Sequence, residues 1–403
     1  MRLLVILEQH FYVDDTHVYV DVQCDREFWS RYLTAFEEVM VCARISPLSQ
    51  KQNIERLLRS DREGVTFVAL PEFRGAAGAF KNQAAVKKVI RQAIKQCDCV
   101  TMRIPSPIAI IAYAEIRRSG KPFAVDMMMN PWTAYSRDSM QHPLQPVIQI
   151  VTTLATKWIC WKANGVSYVT ERILQEQYPC RAMKYGETKD YFTAHFSTIN
   201  LNDNHFSRKE WPEEKPEPLV LVHTGKMADY RKGHDIFIDV VKILNNRGVP
   251  TKGIMIGDGQ LRSTFEEYAH KNGVDEHIEF VGWLAGFSAV QQVLQRGHVF
   301  LYPTKSEGLP RAVIEAMASG LVVIASAVDG IPELIPKTLT CKEITPEAFV
   351  ERVEYLMDNW NLAHEIREQN SLKAREYHID ILSKRRREFY EELKNCSLQS
   401  SNF

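Results

Sequence analysis

The chain has 403 residues, and its 50 basic and 50 acidic side chains leave a formal charge of zero. That balance excludes a whole-molecule basic field for nucleic acid, so no nucleic-acid partner is expected. At 45% apolar and 25% charged residues the composition is that of a folded globular protein, and the length suits two domains.

Residues 3–7 form an apolar run that reads as a buried first strand and is too short for the core of a signal peptide. Further strand-like runs fall at 39–42, 65–69, 99–102, 122–127 and 165–169, with helical periodicity at 27–36, 84–95, 108–118 and 147–162. That alternation predicts an α/β fold with a parallel sheet. Residues 200–218 then change character: Pro212, Pro216 and Pro218 stand among dense charge, as in an exposed linker. A second α/β series follows. Its strands are expected at 219–224, 252–256, 278–281, 299–302 and 322–325, and its helices at 234–246, 261–271 and 310–318. From 346 onward the pattern is helical, closing on 381–394. The partition is a first domain over 1–200, a linker over 201–217, a second domain over 218–375 and a closing helix within 376–403. No run of about 18 apolar residues occurs, so no transmembrane helix is expected. Eight scattered cysteines without a CxxC pair suit reduced thiols in a cytoplasmic protein.

The stretch Pro303 to Gly320 carries the most chemistry. A strand runs into a loop holding Glu307 and Gly308, and Pro310 suits the first turn of the helix that follows. A helix N-terminus after a parallel strand is an anion site, suited to a diphosphate. Carboxylates beside such a site make sense as partners of sugar and ribose hydroxyls. Glu315 lies five residues beyond Pro310, about 7.5 Å along the axis.

Glu307 and Glu315, with seven residues between them, form an EX7E motif, and the block Ser306 to Gly320 resembles the signature of the family 4 retaining glycosyltransferases. The resemblance implies the GT-B fold: two Rossmann-like domains facing each other across a cleft that holds the active site. It implies that Glu307 contacts the donor sugar and Glu315 the nucleotide ribose. The amides of Gly308, Leu309, Pro310, Arg311 and Ala312 would surround the diphosphate, proline contributing no N–H.

The resemblance extends to Gly225-Lys226 and Arg231-Lys232-Gly233. Lys232 matches a lysine on the donor phosphates, whereas Lys226 stands where the family has an arginine; Arg231 is an alternative source of the guanidinium fork. Gly257-Asp258-Gly259 resembles the family's Gly-x-Gly turn, and Gly282-Trp283 the strand end beside the nucleobase. Trp283 either stacks on the base or fills core. In the first domain Arg103-Ile-Pro-Ser-Pro, Met129-Asn130-Pro131-Trp132 and Ser167-Tyr-Val-Thr-Glu171 are similar to a bacterial branch of the family. His10, Arg103, Asn130 and Trp132 are the acceptor-site candidates. Asn130 replaces a residue able to act as a base, and the glycine-rich loop after the first strand is missing.

The resemblance implies a hexosyl or related transfer from a nucleotide-diphosphate sugar to a saccharide or lipid-linked acceptor, as in polysaccharide biosynthesis. It implies no cofactor beyond the donor and no metal, the charge being met by Lys226 and Lys232. A catalytically inactive sugar-nucleotide-binding protein and a phosphorylase are the alternatives. The last helix would pack back on the first domain. Its Lys384-Arg385-Arg386-Arg387 run reads as a solvated face, or as a weak peripheral contact with the inner face of the membrane.

Overall fold

The structure, a computed structural model, describes residues 1–21, 23–51, 54–73, 78, 81–137, 139–140, 142–206 and 211–400. Residues 207–210 of the expected linker lie outside these. The chain forms two compact units. The first comprises residues 1–132, 146–196 and 382–403; the second comprises 133–145 and 197–381. The second unit thus includes a short piece that the sequence partition gave to the first domain.

The first unit is built on a nine-stranded sheet. Its strands are β1 (Arg2–Val13), β2 (Val18–Val20), β3 (Glu38–Pro47), β4 (Leu58–Arg59), β5 (Val65–Leu70), β6 (Cys99–Ile104), β7 (Phe123–Met127), β8 (Gly165–Tyr168) and β9 (Phe192–His195). The parallel set runs β5-β3-β1-β6-β7-β8-β9, with β2 and β4 added antiparallel. The helices of two turns or more in this part of the chain are α1 (Gln83–Lys95), α2 (Pro107–Ser119) and α3 (Gln145–Lys162). Ser106 caps α2 by accepting from the Ala109 amide, and Pro107 opens it, as helix-start chemistry requires.

Two expectations fail here. The sequence placed the end of the first strand at residue 7, but β1 continues to Val13 and pairs with β2 as a hairpin. Polar residues at 8–10 hid a strand whose second half is only half-buried and so lacks an apolar run. The helix expected over 27–36 is one 3-10 turn, Glu27–Trp29, and one α turn, Ser30–Leu33. Aromatic packing of Phe28 and Trp29 holds it, rather than helical periodicity.

The second unit has a fully parallel six-stranded sheet ordered β12-β11-β10-β13-β14-β15. These are β10 (Leu219–Thr224), β11 (Thr251–Ile256), β12 (Ile278–Gly282), β13 (Val299–Tyr302), β14 (Val322–Ser326) and β15 (Thr340–Cys341). Helices α4 (His234–Asn246), α5 (Arg262–Lys271), α6 (Gly286–Leu294), α7 (Arg311–Ala318), α8 (Pro346–Asp358) and α9 (Trp360–Arg375) accompany it. One core joins Leu221, Phe237, Met255, Leu301, Ile324 and Phe349, all buried. In chain order the strands read 3-2-1-4-5-6, the doubly wound arrangement, and the order reverses between β10 and β13.

The final helix, α10 (Ile379–Ser400), serves the first unit from residue 382. Tyr390 donates to both oxygens of Asp126 at 3.0 Å, and Phe389 packs on Phe192 and Phe196. This packing divides the basic run read as a solvated face at 384–387. Lys384 and Arg387 are exposed as expected, whereas Arg386 is buried and Arg385 bonds His195.

Candidate active site

Ligands of doubly wound sheets bind outside the carboxyl ends of the strands where the order reverses. In the second unit that point lies between the end of β10, at Thr224, and the end of β13, at Tyr302. The loops leaving these two strands carry Gly225-Lys226 and Arg231-Lys232, and Ser306 to Pro310. The structure joins them. Lys232 forms an ion pair with Glu307 and donates to the Tyr302 hydroxyl at 2.9 Å. Tyr302 in turn donates to Glu307. An ammonium has three donors, so Lys232 keeps one for a ligand.

Four amides line the same loop. Gly308 and Leu309 are buried, and Arg311 and Ala312 are half-buried at the start of α7. None of their N–H groups donates to a described residue, and Pro310 has none to offer. Pro310 sits one position earlier than expected, as the cap before α7, with no side chain capping the helix end. The positive end of the helix dipole and four amides that donate to no described residue thus fall within one short segment, Gly308 to Ala312.

Glu315 lies on α7 and is half-buried. Burial raises its carboxyl above the ordinary value, partly opposed by Arg311 one turn earlier. Burial, then Glu307, raises the Tyr302 phenol well above its usual value, so Tyr302 acts as a donor. Lys226 is exposed and pairs with no described side chain. Arg231 is not a free fork: both Nε and a terminal nitrogen contact Asp229 at 2.9 Å.

The glycine turn has a reason of its own. Gly257 has φ +143°, and a Cβ there would lie 1.9 Å from the Gly225 carbonyl oxygen. The Gly225 amide donates to the Ile256 carbonyl, the Met227 amide to Asp258 and the Gly257 amide to Gly282, all within 3.0 Å. Gly225, Gly257, Gly259 and Gly282 thus lock the β10, β11 and β12 loops together rather than each presenting an open surface. Trp283 is 47% exposed, which rules out core filling, the second of its two possible roles.

Sequence reasoning missed three supports. Asp329, at φ +45°, accepts from the Glu307 amide at 3.0 Å and the Thr133 hydroxyl at 2.9 Å, fixing the loop from behind. An Asp-Gly pair after a strand is a turn signal that marked the place but not the role. His223 and His234 stack edge to face beneath the β10 loop, 4.7 Å between ring centroids. Burial depresses both rings, His234 to about 4, so both are neutral at pH 7.

In the first unit the carboxyl ends of β1 and β6 flank the equivalent reversal. Ser106 donates to Glu8 at 2.8 Å across it. His10 bonds Ser46 at 2.8 Å and stacks on Tyr12, and Ser46 donates to Glu72. Asn130 is buried and fully used: it donates to Gln177 and accepts from the Trp132 amide and the Tyr178 hydroxyl. These bonds tie the chain together there, and the adjoining Trp132 is exposed. Arg103 reaches the sulfurs of Cys24 and Met128 and lies over the Phe28 ring, 5.4 Å from its centroid.

Among the described residues no group of three His, Cys, Asp or Glu is placed to hold a metal ion, and no helix is long and apolar enough to cross a membrane.

Solved structures share this architecture along the whole chain. HepE of Anabaena, solved with UDP, superposes with a TM-score of 0.60 at 12% identity, covering 100% of this chain and 99% of that one. WaaG, described as a glycosyltransferase involved in lipopolysaccharide biosynthesis, gives 0.64 at 14% identity over 96% of this chain and 99% of its own. The fold is GT-B. Residues 218–359, most of the second unit, match the family model "Glycosyl transferases group 1". Protein CapJ of Staphylococcus aureus is 22% identical over 355 residues, 88% of this chain and 85% of that protein. The GT-B unit that carries the family match is the one in which Lys232, Glu307 and the free amides meet, and the glycosyltransferase class is supported.

Proposed function

We propose that the chain is a retaining glycosyltransferase that moves a sugar from a nucleotide-diphosphate donor to a hydroxyl of a saccharide or lipid-linked acceptor. The observation that carries this reading is the run of undonated amides at Gly308, Leu309, Arg311 and Ala312 beside Lys232 and Glu307. As the sugar–phosphate bond breaks, charge grows on the departing diphosphate. Prealigned amides and an ammonium stabilise that charge without reorganising, which is where most of the rate gain lies. Lys226, exposed on the same β10 loop as Lys232, would add a second cation. Glu307 then serves the hydroxyls of the transferred sugar, and Glu315 those of the ribose. Trp283, exposed just after β12, would stack on the base. HepE was solved with UDP, which makes a uridine donor the first to try. The reaction needs no cofactor beyond the donor in this reading, because the cations and amides already oppose the charge. The eight cysteines are all free and buried, which suits a cytoplasmic enzyme.

The test is turnover against a panel of nucleotide sugars, with chelator present, and the anomeric configuration of the product read by NMR. Glu307→Gln should lose turnover while holding free nucleotide normally, and Glu315→Ala should lose nucleotide affinity. A chain that binds donor yet releases no nucleotide would be a sensor. Phosphate-dependent cleavage without a nucleotide would make it a phosphorylase.

A further inference from the structure

Arg31 and Arg103, in the first unit, present a second and separate electrostatic feature. Both guanidinium carbons lie over the single ring of Phe28, at 3.7 and 5.4 Å. Arg103 stands at the carboxyl end of β6, beside the reversal of strand order, and its terminal nitrogens reach only Cys24 Sγ at 3.9 Å and Met128 Sδ at 3.5 Å. Arg31 makes no side-chain hydrogen bond to a described residue, and its Nε is buried without a partner. A third guanidinium, Arg386, is buried over Phe196. The carboxylate among them, Asp126, is already held by Ser167 at 2.7 Å and by Tyr390. Burial and the charges of Arg386 and Arg103 press the Arg31 guanidinium down to about 10.

Removing a guanidinium from water without an oxygen acceptor is costly, and a ring face offsets only part of that cost. A fold that gathers two such forks at one ring, with no oxygen acceptor for either among the described residues, is arranged for an anion that arrives later. Planar forks in pairs suit a phosphate group, which accepts two parallel N–H bonds from each. We propose that Arg31 and Arg103, with Arg386 behind them, form a phosphate-binding site for the acceptor. The acceptor is therefore an anionic phosphate or diphosphate compound. This rests on the glycosyl-transfer reading for its meaning, but not for its existence.

The full chain is titrated calorimetrically with inorganic pyrophosphate, and Lys232→Ala separates this site from the donor site. Lys232→Ala alone should keep one pyrophosphate. Adding Arg31→Gln and Arg103→Gln should remove it, each weakening binding about tenfold or more. Arg103→Lys keeps the charge and loses the fork, so it should fall between wild type and Arg103→Gln. The glutamine variants should melt at or above the wild-type temperature without ligand, since they delete unpaired cations. Lost binding then cannot be ascribed to unfolding. If Lys232→Ala binds no pyrophosphate, or binds it equally with both arginines replaced, the site is overturned. If Lys232→Ala changes nothing while the arginine variants abolish all binding, the anion site stands and the donor-phosphate reading fails. Glycerol phosphate and dihexanoyl phosphatidic acid offer the same dianion without and with acyl chains. Equal affinity assigns a soluble phosphate, and tighter binding of the second a lipid headgroup.

Discussion

The strand ends at the two reversal points are lined with different materials. In the second unit the point between β10 and β13 is made of backbone: glycines packed loop on loop, undonated amides and one lysine–glutamate pair. In the first unit the point between β1 and β6 is made of side chains, with Ser106 bonded to Glu8 and His10 to Ser46. In the proposed function the diphosphate is the same in every donor, so amides would hold it in one fixed frame, whereas an acceptor varies and calls for side chains that vary with it. The comparison is exposed to experiment at several points.

The sharpest break is Gly257→Ala. Its Cβ would meet the Gly225 carbonyl at 1.9 Å in a backbone conformation that only glycine adopts readily. Several kcal/mol of strain should lower the melting temperature by about 10 °C. An unchanged melt would mean that the loops are not locked as described. Lys232→Ala comes next. It should cost about 10²–10³ in turnover at saturating donor, and should also release Glu307 from its partner. Normal turnover would move the phosphate site elsewhere.

The same difference decides what the sequence could reveal. Backbone sites demand glycine, proline and fixed spacing, and those are visible: Glu307, Gly308 and Glu315 lie near α7 and Gly257 in its turn, where the pattern put them. Side-chain sites leave no spacing rule. Glu8 and His10 looked like a loop because β1 is half-buried there, and nothing in the sequence showed that Asn130 bonds Gln177, Trp132 and Tyr178. Arg31 gave no signal because its significance lies in the partners it lacks, and partners are a tertiary property. Pairing loops across a sheet, as Asp329 does with Glu307, is equally beyond local pattern.

His234 lets the second unit be probed by pH. Its folded value of about 4 lies below the ordinary 6.5, so the unfolded chain binds the extra proton. Its contribution to stability is complete above pH 6.5 and is lost as pH falls from 6.5 towards 4, by about 3 kcal/mol in all. His234→Gln should flatten that part of the melting profile, and an equally steep profile would acquit the histidine. In the first unit Asn130→Ala strands the Tyr178 hydroxyl and the Trp132 amide, which should cost about 1–3 kcal/mol of stability. If Asn130 is structural, the affinity for acceptor should hold in whatever fraction remains folded.

The smallest effect is expected at Lys226, and it tests the backbone-lined site at its least constrained member. The side chain is exposed and bonded to no described group, unlike Lys232. An exposed cation contributes through a screened field, so its influence should fade with salt while that of the amides does not. Lys226→Arg keeps the charge and adds a fork, and should leave turnover within about twofold of wild type. Lys226→Ala should lose less than about tenfold at low ionic strength and almost nothing near ~1 M salt. A loss as large as that of Lys232→Ala, and indifferent to salt, would show that Lys226 closes over the diphosphate when donor binds. The second unit's site would then depend on a moving side chain as well as on fixed backbone.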